Sequence, residues 1–484
     1  METKDTLYIG GEWVAPATSQ TIEVISPTTE EVIARVPEAT EGDVDRAVEA
    51  AAAALAGPYP QLSPAERAEY LRKLSLAIQA RSQELAETIT AEMGSPSSWA
   101  LMGQVFSASM VLDGWADLAE TFPFEEIRAG ALGPVLVRKE PVGVSAGIIP
   151  WNVPLFIVAL KLGAALAAGS PMILKPSPET PLDSYILGEM LAEIELPNGM
   201  VSILPAGREV GEYLVRHRGV DKVGFTGSTA AGRKVGAICG ELLKRCTLEL
   251  GGKSAAIILE DADLSASIPL LMPNSLMNNG EACVAQTRIL APRARYDEVV
   301  DAIAEAVKGH TVGDPADPSV AIGPLVAERQ RARVLGYIDK GKAEGARLVV
   351  GGGRPAGLDK GWFVEPTLFT DVDNSMTIAQ EEIFGPVLSI IGYDDPADAV
   401  KIANDSDYGL SGSVWTTDVE AGIDVARQVR TGTYGINQYG TLDMRTPFGG
   451  FKASGVGREL GPEGLSAYLE TKSIVLPGDY TPPS

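Results

Sequence analysis

The sequence predicts an α/β protein organised around parallel β-sheet, and three observations carry that expectation. From residue 142 onward, short apolar runs alternate with helical stretches of about ten to fifteen residues, the pattern of βαβ units. The downstream ends of those runs carry turn-forming tripeptides and motifs such as "PWN", "KPSPE", "PAG", "TGS" and "LGG". The chain has 484 residues, 45% hydrophobic and 21% charged, enough for about two to four domains with their own cores.

The elements follow in order. Residues 63–94 read as one long amphipathic helix, with Ser63 as N-cap, Pro64 in the first turn, Glu66 completing a capping box and Gly94 as the stop. "VGVSAGIIP" (142–150) reads as a strand, 155–168 as a helix and "PMILKP" (171–176) as a strand. Residues 181–193 are helical, "MVSILP" (200–205) is a strand, 209–217 is helical and "KVGFTG" (222–227) is a strand. A helix over 229–244 and the strand "CTLELGG" (246–252) complete the first series. A second series, from about 254 to 435, contains "SAAIIL", "QTRILAP", "RLVVGGG" and "GPVLSIIGY". The segment 465–477, "LSAYLETKSIVLP", has strand character and no obvious local partner, so pairing with another subunit is one way to cover it.

Composition narrows the function. Lysine and arginine number 40 against 64 aspartates and glutamates, a net charge of −24 that repels nucleic acid and acidic membranes. The greasiest run, 155–169, carries Lys161 and is too short for a membrane span, so it reads as a buried helix. No signal-peptide pattern opens the chain, and three irregularly spaced cysteines fit a reducing compartment; the expectation is a cytoplasmic protein. With two histidines, His217 and His310, and no CxxC pair, no metal site is expected. Thiol, carboxylate, amide and lysine, or an organic cofactor, must then supply any chemistry.

Five motifs carry such groups. "FTGSTAAG" (225–232) follows a strand and opens a helix, where backbone N–H groups favour phosphate; its G-x-x-x-x-G spacing fits a plain βα turn equally well. "ILKPSPET" (173–180) ends a strand on Lys175, which suits ribose or phosphate or simply solvent. "IIPWNVP" (148–154) holds Asn152 between two prolines, as an oxyanion donor or as a turn residue. "TLELGGKS" (247–254) buries Glu249 in an apolar strand, as one half of an ion pair or as a base of raised pKa. "NNGEACVAQTR" (278–288) surrounds Cys283 with small and polar residues, whereas Cys239 and Cys246 read as inert buried thiols. Glu281, two residues before Cys283, would hinder a thiolate if it faced the sulfur, and is expected to point away.

Taken together, "PWNVP", "LKPSPET", "FTGST", "LELGGKS", "NNGEAC", "EEIFGPV" and "PFGGFKASGVGRELG" stand in the order and spacing of one family over nearly the whole chain. The sequence closely resembles the aldehyde dehydrogenase superfamily, in its hydrolytic, NAD(P)-dependent form. That resemblance implies a Rossmann-like cofactor domain (1–120 and 141–251, with 453–464 packing back on it), an α/β catalytic domain (252–452) and a small β oligomerisation arm (121–140 and 465–484). It further implies a homodimer or homotetramer acting on a small-molecule aldehyde.

Residue by residue, the resemblance makes Cys283 the nucleophile, Asn152 an oxyanion donor and Glu249 the base for deacylation, with Glu459 in a proton path to Lys175. The cofactor side comprises Ile149, Pro150, Trp151, Lys175, Ser177, Pro178, Gly207, Gly211, Phe225, Gly227, Ser228, Leu250, Glu382 and Phe384. NAD is the expected cofactor and NADP is possible, since Pro178 stands where many NAD-specific relatives have a glutamate and Glu179 follows one step later. The substrate tunnel would be lined by Val153, Phe156, Leu160, Met277, Ala282, Val284, Leu442 and Phe448, all apolar, pointing to aliphatic, terpenoid or aromatic aldehydes. Two alternatives stand beside this: a CoA-acylating semialdehyde dehydrogenase, disfavoured by Glu249, and a non-redox cysteine esterase, which leaves "FTGST" and "EEIFGP" without a purpose. A catalytically silent relative is disfavoured by the intact Cys283, Glu249 and Asn152.

Overall fold

A computed structural model describes residues 2–438 and 443–480 of the chain. Its largest sheet has eight strands, of which five are mutually parallel: Arg245–Glu249, Lys222–Thr226, Ser145–Ile148, Met172–Lys175 and Val201–Ile203, in that spatial order. The chain enters at the middle strand, winds outward through Met172–Lys175 to Val201–Ile203, then crosses back to the other side. That reversal opens a crevice beyond the carboxyl ends of Ser145–Ile148 and Lys222–Thr226, the place where open parallel sheets receive ligands. Gly455–Val456 and Leu7–Ile9 close the parallel core with antiparallel edges.

The helix Pro154–Ala168 is buried along its whole length, which is why its sequence lacks a polar stripe. It packs between the sheet and the helix Ser107–Thr121. A second sheet of seven strands runs Arg347–Val350, Thr367–Thr370, Val387–Tyr393, Arg288–Pro292, Ala255–Ile258, Gly412–Trp415 and Gly435–Ile436, parallel except at the first strand.

Two expectations need correction. Residues 63–94 form two helices, Pro64–Ala80 and Ser82–Met93, broken at Arg81 (φ −108°, ψ 23°). There the Arg81 guanidinium turns to Glu84 (2.8 Å) and to Glu189 on a neighbouring helix (2.7 Å), a tertiary pull that periodicity does not register. The capping box is present, with Ser63 Oγ accepting from Glu66 N–H and the Glu66 carboxylate accepting from Ser63 N–H, and Gly94 ends the second helix at φ +83°. The C-terminal strand, Leu469–Val475, does have a partner in its own chain: it pairs antiparallel with Gly133–Pro141, which pairs with Glu125–Gly130. The partner lies too far upstream for local reading to find, though the arm implied by the family resemblance groups 121–140 with 465–484. This three-stranded sheet leaves Ile127, Leu132, Ile474 and Val475 exposed.

No described helix is long and apolar enough to cross a membrane. Among the described residues, no group of three or more His, Cys, Asp or Glu is placed to hold a metal.

Candidate active site

The loop that carries Cys283 is held in an unusual backbone state. After the helix Leu264–Leu276, Asn278, Asn279 and Gly280 are consecutively left-handed, at φ +50°, +62° and +75°. Asparagine and glycine are the residues that tolerate this conformation. Side-chain amides lock it in place: Asn278 Nδ2 donates to the carbonyl of Asn152 (2.8 Å). Asn279 Nδ2 donates to the carbonyls of Gly94 and Pro324 (both 2.9 Å), and its Oδ1 accepts from Gly323 N–H (2.7 Å). At Gly280 a Cβ would stand 2.3 Å from the Gly385 carbonyl, so only glycine fits. Gly280→Ala is accordingly expected to cost roughly 1–3 kcal/mol, read as a lower urea midpoint of unfolding.

Asn152 is bound to this loop from both sides. Its carbonyl accepts from Asn278, and its own Nδ2 donates to the Glu281 carbonyl at 2.8 Å. A primary amide has two hydrogens, and this bond uses one of them. The Glu281 side chain turns away from the sulfur, as expected: Oε1 accepts from Val326 N–H at 3.2 Å. Burial, only partly opposed by that bond, holds this carboxyl well above the ordinary range.

Cys283 itself is half-buried. Burial, then the charges of Glu382 and Glu249, push its thiol up to about 12; the N–H groups of Cys283 and Val284 act in the opposite direction. The paired glycines of "LELGGKS" explain how such groups crowd together. A Cβ on Gly252 would lie 2.4 Å from the Cys283 carbonyl, and one on Gly251 would lie 2.3 Å from Glu382 Oε2.

Glu249 ends the strand Arg245–Glu249, is 3% exposed, and has no hydrogen-bond partner on either carboxylate oxygen. Burial, reinforced by the charge of Glu459, raises its pKa well above the carboxylate range, against Lys161 and Arg458. An unpartnered buried carboxyl is costly. The Glu459 carboxylate pairs with Lys161. Lys161 is fully buried on the apolar helix Pro154–Ala168. Sequence reading missed it because it looked like a mere interruption of a greasy run, yet that interruption was the available signal.

The groups assigned to a cofactor lie along the carboxyl ends of the parallel strands. Ile149, Pro150 and Trp151 follow Ser145–Ile148, and Ile149 N–H donates to the Lys175 carbonyl at 3.0 Å. Lys175 ends its strand, with Ser177 and Pro178 just beyond. Burial lowers its ammonium to about 8 against the attraction of Glu179 and Glu38. Gly207 caps the helix Arg208–Arg216, and Gly211 on that helix is the close neighbour of Lys175, 3.2 Å from a Cβ to Lys175 Cδ. The Phe225 ring lies under Gly227, while Ser228 caps the helix Thr229–Leu242 and Leu250 packs against Gly232. From the second sheet's side, Glu382 Oε1 accepts from Gly252 N–H (2.9 Å), and Phe384 (φ +63°) sets its ring edge-on to Trp151, 5.2 Å between centroids. Burial lifts Glu382 to about 7.

Val153, Phe156, Leu160, Val284 and Phe448 belong with Cys283 to the large apolar core that also holds the helices Pro154–Ala168 and Ser107–Thr121. Ala282 is buried next to Cys283, Met277 lies outside that core, and Leu442 falls outside the described residues.

Comparison with known proteins identifies relatives over nearly the whole chain. Residues 13–474 match the model of the aldehyde dehydrogenase family. The chain is 50% identical over 476 residues to a geranial dehydrogenase of Castellaniella defragrans, covering 98% of both chains. Among solved structures it is similar to a Mycobacterium tuberculosis aldehyde dehydrogenase complexed with NAD+ (51% identity, TM-score 0.97, 99% of each chain). It is also similar to a Pseudomonas syringae aldehyde dehydrogenase complexed with NAD+ and octanal (40% identity, TM-score 0.94, covering 97% of this chain and 96% of that one).

Proposed function

The chain belongs to the aldehyde dehydrogenase family, and on that premise we propose that it oxidises apolar aldehydes, aliphatic or terpenoid above all, to their carboxylic acids with NAD. The observation that carries the reading is that the Asn152 amide is bonded to the loop of Cys283, the unpartnered Glu249 carboxylate lies close enough for its charge to act on the Cys283 thiol, and Cys283 packs against apolar core. Relatives support the choice of substrate and cofactor: the geranial dehydrogenase is named for a terpenoid aldehyde, and the Pseudomonas structure holds octanal and NAD+.

Cys283 Sγ adds to the aldehyde carbonyl, and the Asn152 amide and the Cys283 N–H hold the oxygen as it becomes an oxyanion. When bound, the dinucleotide supplies a hydride acceptor. The crevice at the sheet's reversal fits such a ligand: Gly227 and Ser228 head a helix suited to pyrophosphate, Lys175 suits the ribose of the adenosine half, and Glu382 the other ribose. Loss of hydride from the adduct leaves a thioester on Cys283. Glu249 then takes a proton from water, and the hydroxide produced releases the acid.

Glu179 pairs with Arg329 at 2.5 Å, receives a hydrogen bond from Ser177 and attracts Lys175, so its charge is balanced by cations, and the preference for NAD is supported by the NAD+ complexes of relatives. The exposed apolar side chains of the three-stranded arm suit burial against a second copy, in keeping with a homo-oligomer. Absorbance of reduced nicotinamide over an aldehyde panel, with NAD and NADP in parallel, tests the reading. The expected kcat/KM order is geranial and hexanal, then benzaldehyde, then succinic semialdehyde, with NAD preferred; succinic semialdehyde above hexanal would overturn the substrate class.

A further inference from the structure

Leu460 holds a backbone conformation that residues with side chains avoid. Its φ of +60° and ψ of 165° fall in a region populated almost only by glycine, and a leucine persists there only when its surroundings over-determine it. Leu460 is 1% exposed, lies in the same apolar core as Phe448, and precedes the short helix Gly461–Ser466. It also directly follows Glu459, which is bonded to Lys161.

Two clamps fix the chain on either side of it. Glu459 N–H donates to the Phe448 carbonyl (2.7 Å), and Phe448 N–H donates to the Glu459 carbonyl (2.6 Å). Beyond Leu460, Gly461 N–H donates to the Met444 carbonyl (3.1 Å), and a Cβ on Gly461 would stand 3.1 Å from the Thr446 carbonyl carbon. A Cβ on Gly464 would come within 2.8 Å of the Glu459 carbonyl carbon, so the helix lies directly on that residue. With Glu459 and Gly461 both tied to residues 444–448, Leu460 has to take the dihedral angles that join them.

The clamped segment carries charge to Glu249. It leaves from the strand Gly455–Val456, in which Gly455 is the register partner of Glu249. A Cβ on Gly449 would meet Glu249 Oε1 at 2.8 Å and Arg458 Cδ at 2.9 Å, so the Arg458 side chain passes the carboxylate. Its guanidinium is anchored by the carbonyls of Gly450 (3.2 Å) and Gly457 (2.6 Å). Burial and then the charge of Glu459 raise Glu249, while Lys161 and Arg458 act in the other direction. Two of those three charges sit on the residues just before Leu460. We propose that Leu460 is a positioning residue for deacylation: its forced turn, held between the two clamps, keeps Arg458 and Glu459 where their charges act on Glu249. The proposal rests on Glu249 as the base of the reaction given above. Loss of the turn would leave the loop of Cys283 and its left-handed residues in place, so the effect falls on release of the acyl group rather than on its formation.

Leu460→Gly and Leu460→Ala, made in the full-length protein, separate the turn from the side chain. Both variants lose the leucine packing, but glycine adopts the turn freely and alanine does not. In ordinary backbone alanine is the more stable of the two, because glycine gains more freedom on unfolding; here Leu460→Gly is expected to have the higher urea midpoint. Rapid mixing with hexanal and NAD should give both variants a burst of about one equivalent of reduced nicotinamide per folded site. After the burst, Leu460→Gly should turn over about 10-fold faster than Leu460→Ala. A role confined to stability would instead change the burst amplitude and leave the later rate per folded site alone. A midpoint for Leu460→Gly at or below that of Leu460→Ala would overturn the strain, and equal rates after the burst would overturn the positioning. If the cavity keeps either variant from folding, Leu460→Met and Leu460→Ile refill it. The β-branched isoleucine, least suited to positive φ, should then show the lower midpoint and the slower later rate, and parity between the two would overturn the inference. Failure of the proposed function itself would look different: the wild-type protein would give no burst with any aldehyde.

Discussion

Cys283→Ala is expected to lower turnover of hexanal by about 10⁴-fold or more, leaving only a trace of aldehyde oxidation. The reaction depends on a tetrahedral adduct, since a planar aldehyde has no electron-rich carbon from which hydride can leave. Asn152, the Cys283 N–H and the crevice remain in the variant, so binding of NAD should be retained within a few-fold. That split between lost kcat and kept affinity, measured by steady-state kinetics and dinucleotide titration, separates removal of a nucleophile from collapse of the loop. The sulfur is half-buried and makes no tie that holds the left-handed turn, which rests on Asn278, Asn279 and Gly280.

Glu249→Gln is expected to act on a different step. Glutamine keeps the shape but cannot take a proton from water, so acyl transfer to Cys283 should proceed once and then stall. Steady-state turnover should fall about 10²–10⁴-fold, while rapid mixing still shows about one equivalent of reduced nicotinamide per active site. The pH dependence follows from the raised pKa of Glu249. Below its pKa the carboxyl carries a proton and is no base, so wild-type deacylation rises with pH until Glu249 ionises. The variant should lose that rise. Raising the pH also frees the Cys283 thiolate, so the comparison is made on the deacylation step alone.

Much of the site could be read in the sequence because its residues sit at strand ends, where turn chemistry stands out against apolar runs. Asn152, Glu249 and Lys175 stand at or just beyond strand ends, while Cys283 lies in a loop after a helix. The motifs left bland readings open and the family resemblance implied the roles, whereas the alternation of runs by itself indicated the parallel sheet. What escaped is tertiary in origin. The break at Arg81 comes from Glu189 on another helix, and the pairing of Leu469–Val475 needs a strand far upstream, which local patterning does not reveal and only the family resemblance grouped with it. Lys161 was hidden by its setting: only the fold shows that a lysine inside a buried apolar helix meets Glu459, on which the charge balance around Glu249 depends.

The central claim is that carbon is held covalently on Cys283 and released by water under Glu249. Mass spectrometry of the Glu249→Gln protein, quenched after mixing with hexanal and NAD, tests it most directly. The account predicts a gain of one hexanoyl group per chain, located on the peptide of Cys283 and removed by hydroxylamine. An unmodified Cys283, in a variant that has already produced its equivalent of reduced nicotinamide, would contradict it.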